Sequence, residues 1–313
     1  MGELEISVVV PAKNEKPNIK ELYEKLVSVL EPLRKNFEII FVDDGSIDGT
    51  FELVRELSKN DSRVKGVRLA RNYGKATALR AGFERAKGEI VVSMDADLQD
   101  DPSEIPRFLQ KIGDGFDLVS GWKKRRRDPI SRVIFSRIFN FIISKLSGVY
   151  LRDFNCGFKA YKGWLTKELE LRGELHRFIP LFANRLGAKI AEIEVVHHPR
   201  KSGRSKYGPV RYLHATFDLF SALLFSRFYG RPLHLFGILS FALLFGGLLC
   251  FVALLAGVWK LGFLFFGTAL IAGAIGLFGV GLASELWARD MFEAGQKYRI
   301  YEYCGVEEHS DGG

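Results

Sequence analysis

The chain has 313 residues, enough for one or two domains with a sizeable core, and carries a formal net charge of +8 in a composition that is 47% hydrophobic. That balance points to an anionic partner, either nucleic acid, a membrane surface or a phosphorylated substrate. Three cysteines, Cys156, Cys250 and Cys304, stand far apart without CxxC spacing, which rules against a disulfide framework or a zinc site and fits a reducing compartment.

The N-terminus runs from "MGELE" into "ISVVVPAKNE" without the basic, apolar and cleavage segments of a secretory signal, so the first domain is expected on the cytoplasmic side. From residue 5 to about 121, short apolar runs alternate with helical periods. "EISVVVPA", "FEIIFVDD", "VKGVRLA" and "EIVVSMDA" read as strands, and the stretches Pro17 to Leu33, Asp48 to Lys59 and Lys75 to Lys87 read as helices. Nearly continuous Val- and Ile-rich runs imply a parallel sheet covered on both faces, a Rossmann-like α/β domain. Such sheets bind ligands beyond the C-terminal ends of their strands. Three of those ends, "PAKNE", "VDDGSIDGT" and "MDADLQDD", are polar and are expected to meet around one crevice.

In "DDGSIDGT", Gly45 permits a sharp turn and Asp48 is expected to N-cap the next helix, leaving Asp43 and Asp44 to reach ribose hydroxyls or a base N–H. The first strand is not followed by GxGxxG, and no GxxxxGK[ST] occurs, so dinucleotide and P-loop readings lose their support. In "VVSMDADLQDD", Asp95 and Asp97 flank one residue, and alternate extended residues point the same way. Two carboxylates on one side suit Mg²⁺ or Mn²⁺, completed by the oxygens of a nucleotide diphosphate; Gln99 adds a carbonyl oxygen. Asp100 or Asp101 is expected to cap the helix that begins at "DPSEI".

Next, "GWKKRRRDPISRVIFSRIFNFIISKLSG" joins a run of cations to an amphipathic helix at about residues 129–148. Arg132, Ser136 and Asn140 share its polar face, as in an interfacial helix. The run Lys123 to Arg127 is expected to hold the domain against lipid headgroups, each cation contributing on the order of 1 kcal/mol. A second cationic loop, "HHPRKSGRSKYG", leads into a further interfacial stretch. The runs 235–258 and 262–283 contain no charged residue. At about 1.5 Å per residue the first makes a helix of roughly 36 Å, against a hydrocarbon core of about 30 Å. With Trp259, Lys260 and Leu261 between them, they read as a transmembrane hairpin. Arg227, Arg231, Arg289, Lys297 and Arg299 flank its outer ends, so both termini are expected in the cytoplasm of a multi-pass plasma-membrane protein. The expected organisation is 1–212 catalytic, 213–231 juxtamembrane, 232–284 transmembrane and 285–313 a cytoplasmic tail.

"VVVPAKNE", "VDDGSIDGT", "RNYGKATALRAGFERAKGEIVVSMDADLQDDP" and "DFNCGFKAY", in that order, resemble the motifs of family 2 glycosyltransferases of GT-A fold. Within that family they are most similar to polyprenyl-phosphate glycosyltransferases, the group of dolichyl-phosphate mannose synthase and bactoprenol glucosyltransferase. The resemblance covers residues 5 to about 212. It implies inverting transfer of a hexose from a GDP-mannose or UDP-glucose type donor to dolichyl or undecaprenyl phosphate. It places Pro11, Ala12, Asn14, Glu15, Asp43, Asp44 and Lys75 at the nucleotide sugar, and Asp95, Asp97 and Gln99 at metal and diphosphate. Arg132, Ser136, Arg204, Ser205 and Lys206 match its acceptor-phosphate region, and Asp153 matches an acid near the reaction centre, as orienting group or base, with a turn or helix cap as its other reading. The expected partners are therefore a sugar nucleotide, a polyprenyl phosphate and the bilayer, with no nucleic acid; the transmembrane helices leave room for a homo-oligomer. A processive polysaccharide synthase is disfavoured because QxxRW is missing and the corresponding stretch reads "GELHRFIP". The intact acid set argues against a non-catalytic nucleotide-sugar sensor.

Overall fold

Strands β1 (Ile6–Ala12) and β2 (Phe37–Asp43) bury every residue, which is why they read as unbroken apolar runs instead of alternating ones. Two of their polar members satisfy each other: the Ser7 hydroxyl donates to Glu38 Oε1 at 2.5 Å, and Glu38 also pairs with Lys65. The computed structural model describes residues 4–123, 144, 148–169, 171, 175–199, 232–256, 261–294 and 300–305. These fall into two units, one holding the residues up to 199 together with 300–305, the other residues 232–294.

The first unit is an eight-stranded sheet in the order β7-β5-β6-β4-β1-β2-β3-β8, with β3 (Val64–Leu69), β4 (Ile90–Ser93), β5 (Leu118–Trp122), β6 (Lys159–Lys162), β7 (Ile190–Glu194) and β8 (Ile300–Cys304). The expected all-parallel sheet is corrected to a mixed one. β6 runs antiparallel to β4 and β5, and β8 runs antiparallel to β3. The α/β class stands, because the central β4-β1-β2-β3 block is parallel and connected through α1 (Lys16–Leu30), α2 (Thr50–Asn60) and α3 (Lys75–Arg85). Helices α4 (Ile105–Gly113), α5 (Gly163–Glu168) and α6 (Ile179–Arg185) complete the layers.

Successive strand residues feed opposite cores. Val8, Val10 and Phe41 pack with Leu22, Leu26 and Phe108 on one face, whereas Val9, Ile40 and Val42 pack with Leu79, Phe83 and Tyr161 on the other. Register then fixes the site: Ala12 lies opposite Asp43, and Val9 opposite Ser93, so β1, β2 and β4 release their loops along one edge.

The second unit pairs α7 (Pro232–Leu255) with α8 (Leu261–Ala294), both long and apolar enough to cross a membrane, with mean hydropathies of 2.7 and 2.2 over Leu233–Leu255 and Leu261–Leu286. Phe241, Phe245 and Phe265 are exposed on these helices. Small residues set the approach of the two helices. A Cβ on Gly247 would stand 2.7 Å from Ile271 Cγ1 and 3.0 Å from the Gly267 carbonyl. The Ser240 hydroxyl donates to the Ala274 carbonyl at 2.6 Å. Two departures from expectation concern the C-terminal part. Helix α8 runs on to Ala294, and residues 300–304, placed in a separate tail by sequence, form an edge strand of the catalytic sheet.

Candidate functional site

The loops leaving β1 and β2 are built as one piece. Asn14, in left-handed backbone at φ 54°, donates its N–H to Ser46 Oγ (2.8 Å) and accepts the Ile47 N–H on its side chain (3.0 Å). The Glu15 N–H donates to Thr50 Oγ1 at 3.0 Å, while its carboxylate accepts from Asn18 Nδ2 at 2.6 Å. Asp48 accepts the Lys16 N–H at 3.2 Å and the Thr50 N–H at 3.0 Å. It is therefore not the helix N-cap expected from sequence; Gly49 holds that position, and Asp48 stitches the two loops together. Pro11 and Ala12 are the last two residues of β1, and the Ala12 carbonyl accepts the Asp44 N–H at 2.9 Å. Gly45 is obligatory: at φ 67°, a Cβ would lie 2.6 Å from the Arg71 carbonyl carbon.

Asp43 and Asp44 are adjacent and both buried, and burial pushes both carboxyls above the usual range. Their contacts differ. Asp44 accepts the Tyr73 and Gly74 N–H groups at 2.7 and 2.9 Å, fastening the loop that ends in Lys75. Asp43 accepts the Ser46 N–H on Oδ1 at 3.1 Å; its Oδ2 makes no hydrogen bond among the described residues and faces Arg68 Nε across 3.5 Å. A buried carboxylate oxygen held this way suits an incoming N–H or O–H donor.

In the loop after β4, the Asp95 carboxylate pairs with the Lys75 ammonium at the start of α3. Asp97 Oδ1 accepts the Gln99 N–H at 3.2 Å around Leu98, whose φ of 61° marks a tight reversal. The Gln99 side-chain amide donates to the His198 carbonyl at 3.3 Å. One open alternative is resolved here and one expectation is corrected. Asp100 is a buried ion-pair member, 3.1 Å from Lys123 Nζ, and only Asp101 caps, accepting the Ser103 N–H at 2.9 Å. Lys123, assigned by sequence to the headgroup-facing run, is turned inward with a side chain 14% exposed. Burial alone would push the Asp100 carboxyl up and the Lys123 ammonium down. Their mutual attraction overrides burial in both cases, so Asp100 lies far below the carboxylate range and Lys123 well above its ordinary value.

Among the described residues no three His, Cys, Asp or Glu side chains converge as a self-sufficient metal cage. That is compatible with Mg²⁺ or Mn²⁺, which take one or two carboxylates and complete their shell with substrate oxygens and water. The donor chemistry of Asp95, Asp97 and the Gln99 amide fits such an ion, and Lys75 shows that Asp95 already sits where positive charge is held.

The segment between Asp153 and Lys159 closes over this loop. Asp153 is buried and accepts the Asn155 N–H at 3.1 Å, making a turn, while Glu192 on β7 accepts the N–H groups of Arg152 and Asp153, each at 2.9 Å. Cys156 is inert, its thiol pushed up to about 12 by burial. Lys159 is fully buried, donates to the Cys156 carbonyl, and has its ammonium pushed down by burial; it feels the charges of Asp153, Lys75 and Lys123. A Cβ on Gly157 would stand 2.9 Å from both Asp95 Oδ2 and Lys75 Nζ. Gly157→Ala is therefore expected to cut turnover at least about tenfold, with little change in thermal unfolding, because a 1 Å displacement of Asp95 and Lys75 is costly to alignment and cheap to the core. Activity and melting temperature measured on the same preparation check it.

Sequence reasoning named Asp43, Asp44, Lys75, Asp95, Asp97, Gln99 and Asp153, gave Lys123 and Asp100 other roles, and missed Lys159, Gly157 and Glu192. The available signal was a lysine inside or just after an apolar strand, as in "KAYK" and "LVSGWK". Arg132, Ser136, Arg204, Ser205 and Lys206, with the helix at 129–148 and the segment 213–231, lie outside the described residues.

Residues 7–168 match the family model described as glycosyl transferase family 2. The chain is 37% identical over 241 residues to a dodecaprenyl-phosphate galacturonate synthase of Rhizobium johnstonii, covering 75% of this chain and 71% of that one. It is 36% identical over 235 residues to an undecaprenyl-phosphate 4-deoxy-4-formamido-L-arabinose transferase of Aeromonas hydrophila, again covering 75% and 71%. Among solved structures, glucosyl-3-phosphoglycerate synthase of Mycobacterium tuberculosis, in complex with Mn²⁺, UDP and phosphoglyceric acid, superposes with a TM-score of 0.55 at 23% identity over 72% of this chain and 78% of that one. That likeness establishes the GT-A fold.

Proposed function

Because the chain belongs to glycosyl transferase family 2, in its polyprenyl-phosphate glycosyltransferase group, we propose that it moves a sugar from a nucleotide diphosphate to a polyprenyl phosphate such as undecaprenyl phosphate. The observation that carries this reading is that β2 and β4 release Asp43, Asp95 and Asp97 along one edge of the sheet, with Lys75 paired to Asp95, in a chain that also holds two apolar helices of membrane-spanning length. Attack by an acceptor phosphate oxygen on the anomeric carbon forms the new C–O bond as the bond to the diphosphate breaks, with inversion; the electron pair leaves with the nucleotide diphosphate. An ionised phosphate needs no strong base, so catalysis rests on holding two anions together. A divalent cation held by Asp95, Asp97 and Gln99 would supply charge neutralisation to the leaving diphosphate. Asp43 accepts from the nucleoside, Asp44 and Asn14 fix the loops around it, and Lys75 adds positive charge beside the diphosphate. Asp153 orients the acceptor.

The relatives' names include a uronic acid and a formamido-pentose, a range wider than the hexose that motif resemblance implies. Hexosyl donors of GDP-mannose or UDP-glucose type are the first to assay, with uronic and pentose donors beside them. In proteoliposomes, nucleotide release should depend on added polyprenyl phosphate; release independent of the lipid would count against the acceptor. Arg132→Ala and Arg204→Ala should weaken use of the lipid by roughly tenfold to a hundredfold through loss of a charge-assisted phosphate contact, with nucleotide-sugar affinity unchanged. A donor-affinity loss at Arg204 would move that loop to the donor side.

The catalytic unit is proposed to face the cytoplasm of a plasma-membrane protein. Besides the flanking cations, the support is connectivity: β8 follows the hairpin and pairs with β3, so chain on both sides of the hairpin belongs to one unit. Single-cysteine labelling at position 260 and in the tail should report opposite faces of the membrane; labelling of both from one face refutes the topology.

A further inference from the structure

We propose that the C-terminal strand supplies a positioning residue to the nucleotide site: Tyr301, acting on Asp43 through Arg68. The inference rests on the donor-site reading of Asp43. Pairing between β3 and β8 sets Arg68 opposite Glu302 but Leu69 opposite Ile300, so Tyr301 is the extra residue of a β-bulge. Bulges re-aim a side chain beside functional sites. Here the Tyr301 ring lies 5.6 Å from the Arg68 guanidinium, and the Phe51 ring lies 5.5 Å from it. Tyr301 is 70% exposed, so burial does not explain an aromatic residue there; its contact with Arg68 does.

Arg68 is held by three further groups. It pairs with Glu52 at 3.2 Å, donates to the Ser46 carbonyl at 3.3 Å and faces Asp43 Oδ2 across 3.5 Å. Its side chain spans the outer strand and the acid that ends β2. Arg68 stands beside the buried Asp43 oxygen that makes no hydrogen bond among the described residues, and it counters the effect of burial on that carboxyl. The strand carrying Tyr301 is itself fastened: Arg55 pairs with Glu302, and Arg85 donates to the Tyr303 hydroxyl at 2.5 Å with its guanidinium over that ring. Tyr301 thus presses Arg68 inward from an anchored strand, fixing the orientation in which Asp43 meets the nucleoside.

The test compares Tyr301→Phe, Tyr301→Leu and Tyr301→Ala in the full chain, reading donor KM, lipid KM, kcat and thermal unfolding. The expected result is a donor KM raised about three- to fivefold in the Leu and Ala variants, the size of an exposed cation–π contact, with kcat and lipid KM unmoved and the Phe variant like wild type. Arg68→Lys should raise donor KM as well, and Tyr301→Ala added to it should bring no further loss. Equal donor KM in all three Tyr301 variants and wild type, or equal loss in Phe and Ala, overturns the inference while leaving the glycosyltransferase reading intact. A wild-type protein that releases no nucleotide with any donor and polyprenyl phosphate sinks both.

Discussion

Asp97→Ala is expected to reduce sugar transfer by at least about a hundredfold while leaving the domain folded. The carboxylate stands at 7% exposure in a loop whose other members hold it by backbone contacts, with the Gln99 N–H on Oδ1 and Leu98 in the left-handed region. Removing it costs the fold the Gln99 N–H contact, worth about 0.5 to 1.5 kcal/mol, and costs the site one of its two metal-suited acids. Exhaustive chelation of the wild type should mimic the substitution, and readdition of Mg²⁺ or Mn²⁺ should restore only the wild type. Full turnover by Asp97→Ala, or activity indifferent to chelation, would remove the metal role.

Lys123→Met is expected to be the most destabilising of the single substitutions considered. It leaves the Asp100 carboxylate buried without its ammonium partner, and breaking one side of a buried pair costs about 3 to 5 kcal/mol. For a unit of this size that is a fall in melting temperature of roughly 6 to 20 °C. Neighbouring His197, with Nδ1 3.8 Å from Asp100, does not replace the lysine at this distance. Lys123→Met with Asp100→Leu should recover much of the loss, since an apolar pair of similar volume carries no desolvation penalty. If the single variant melts like wild type, the pair is solvated in solution and the inward placement of Lys123 is wrong. The double variant should still turn over poorly, because Asp100 Oδ2 also accepts the Asp95 N–H, at 3.5 Å, and Lys123 acts electrostatically on Asp95.

The parallel heart of the sheet was legible because burial on both faces leaves its mark on the chain as unbroken apolar runs, and the strand ends were legible because acids cannot continue such runs into a core. What each acid does was not. Asp43 and Asp44 are identical neighbours, yet one fastens the loop before α3 and the other keeps an oxygen toward Arg68, a difference set by loops some thirty residues away. Lys123 opens a basic run, and a charge run usually means a solvated face. It is also the residue after β5, and strand direction carries it inward to Asp100. The antiparallel strands were hidden for another reason: β6 is four residues long, and β8 pairs with a strand more than two hundred residues upstream, contacts that no local pattern encodes.

The pairing of β8 with β3 also decides what the last residues protect. Without Ile300–Cys304, β3 would present a bare row of N–H and C=O groups at the rim of the sheet, and Gly66 within it offers no side chain to obstruct an approaching strand. Such a rim is a template for foreign strands. Trimming the C-terminus before Ile300 would therefore move the edge of the sheet from the short β8 to β3, and the shortened protein would pass through oligomers and aggregates before any question of catalysis arose.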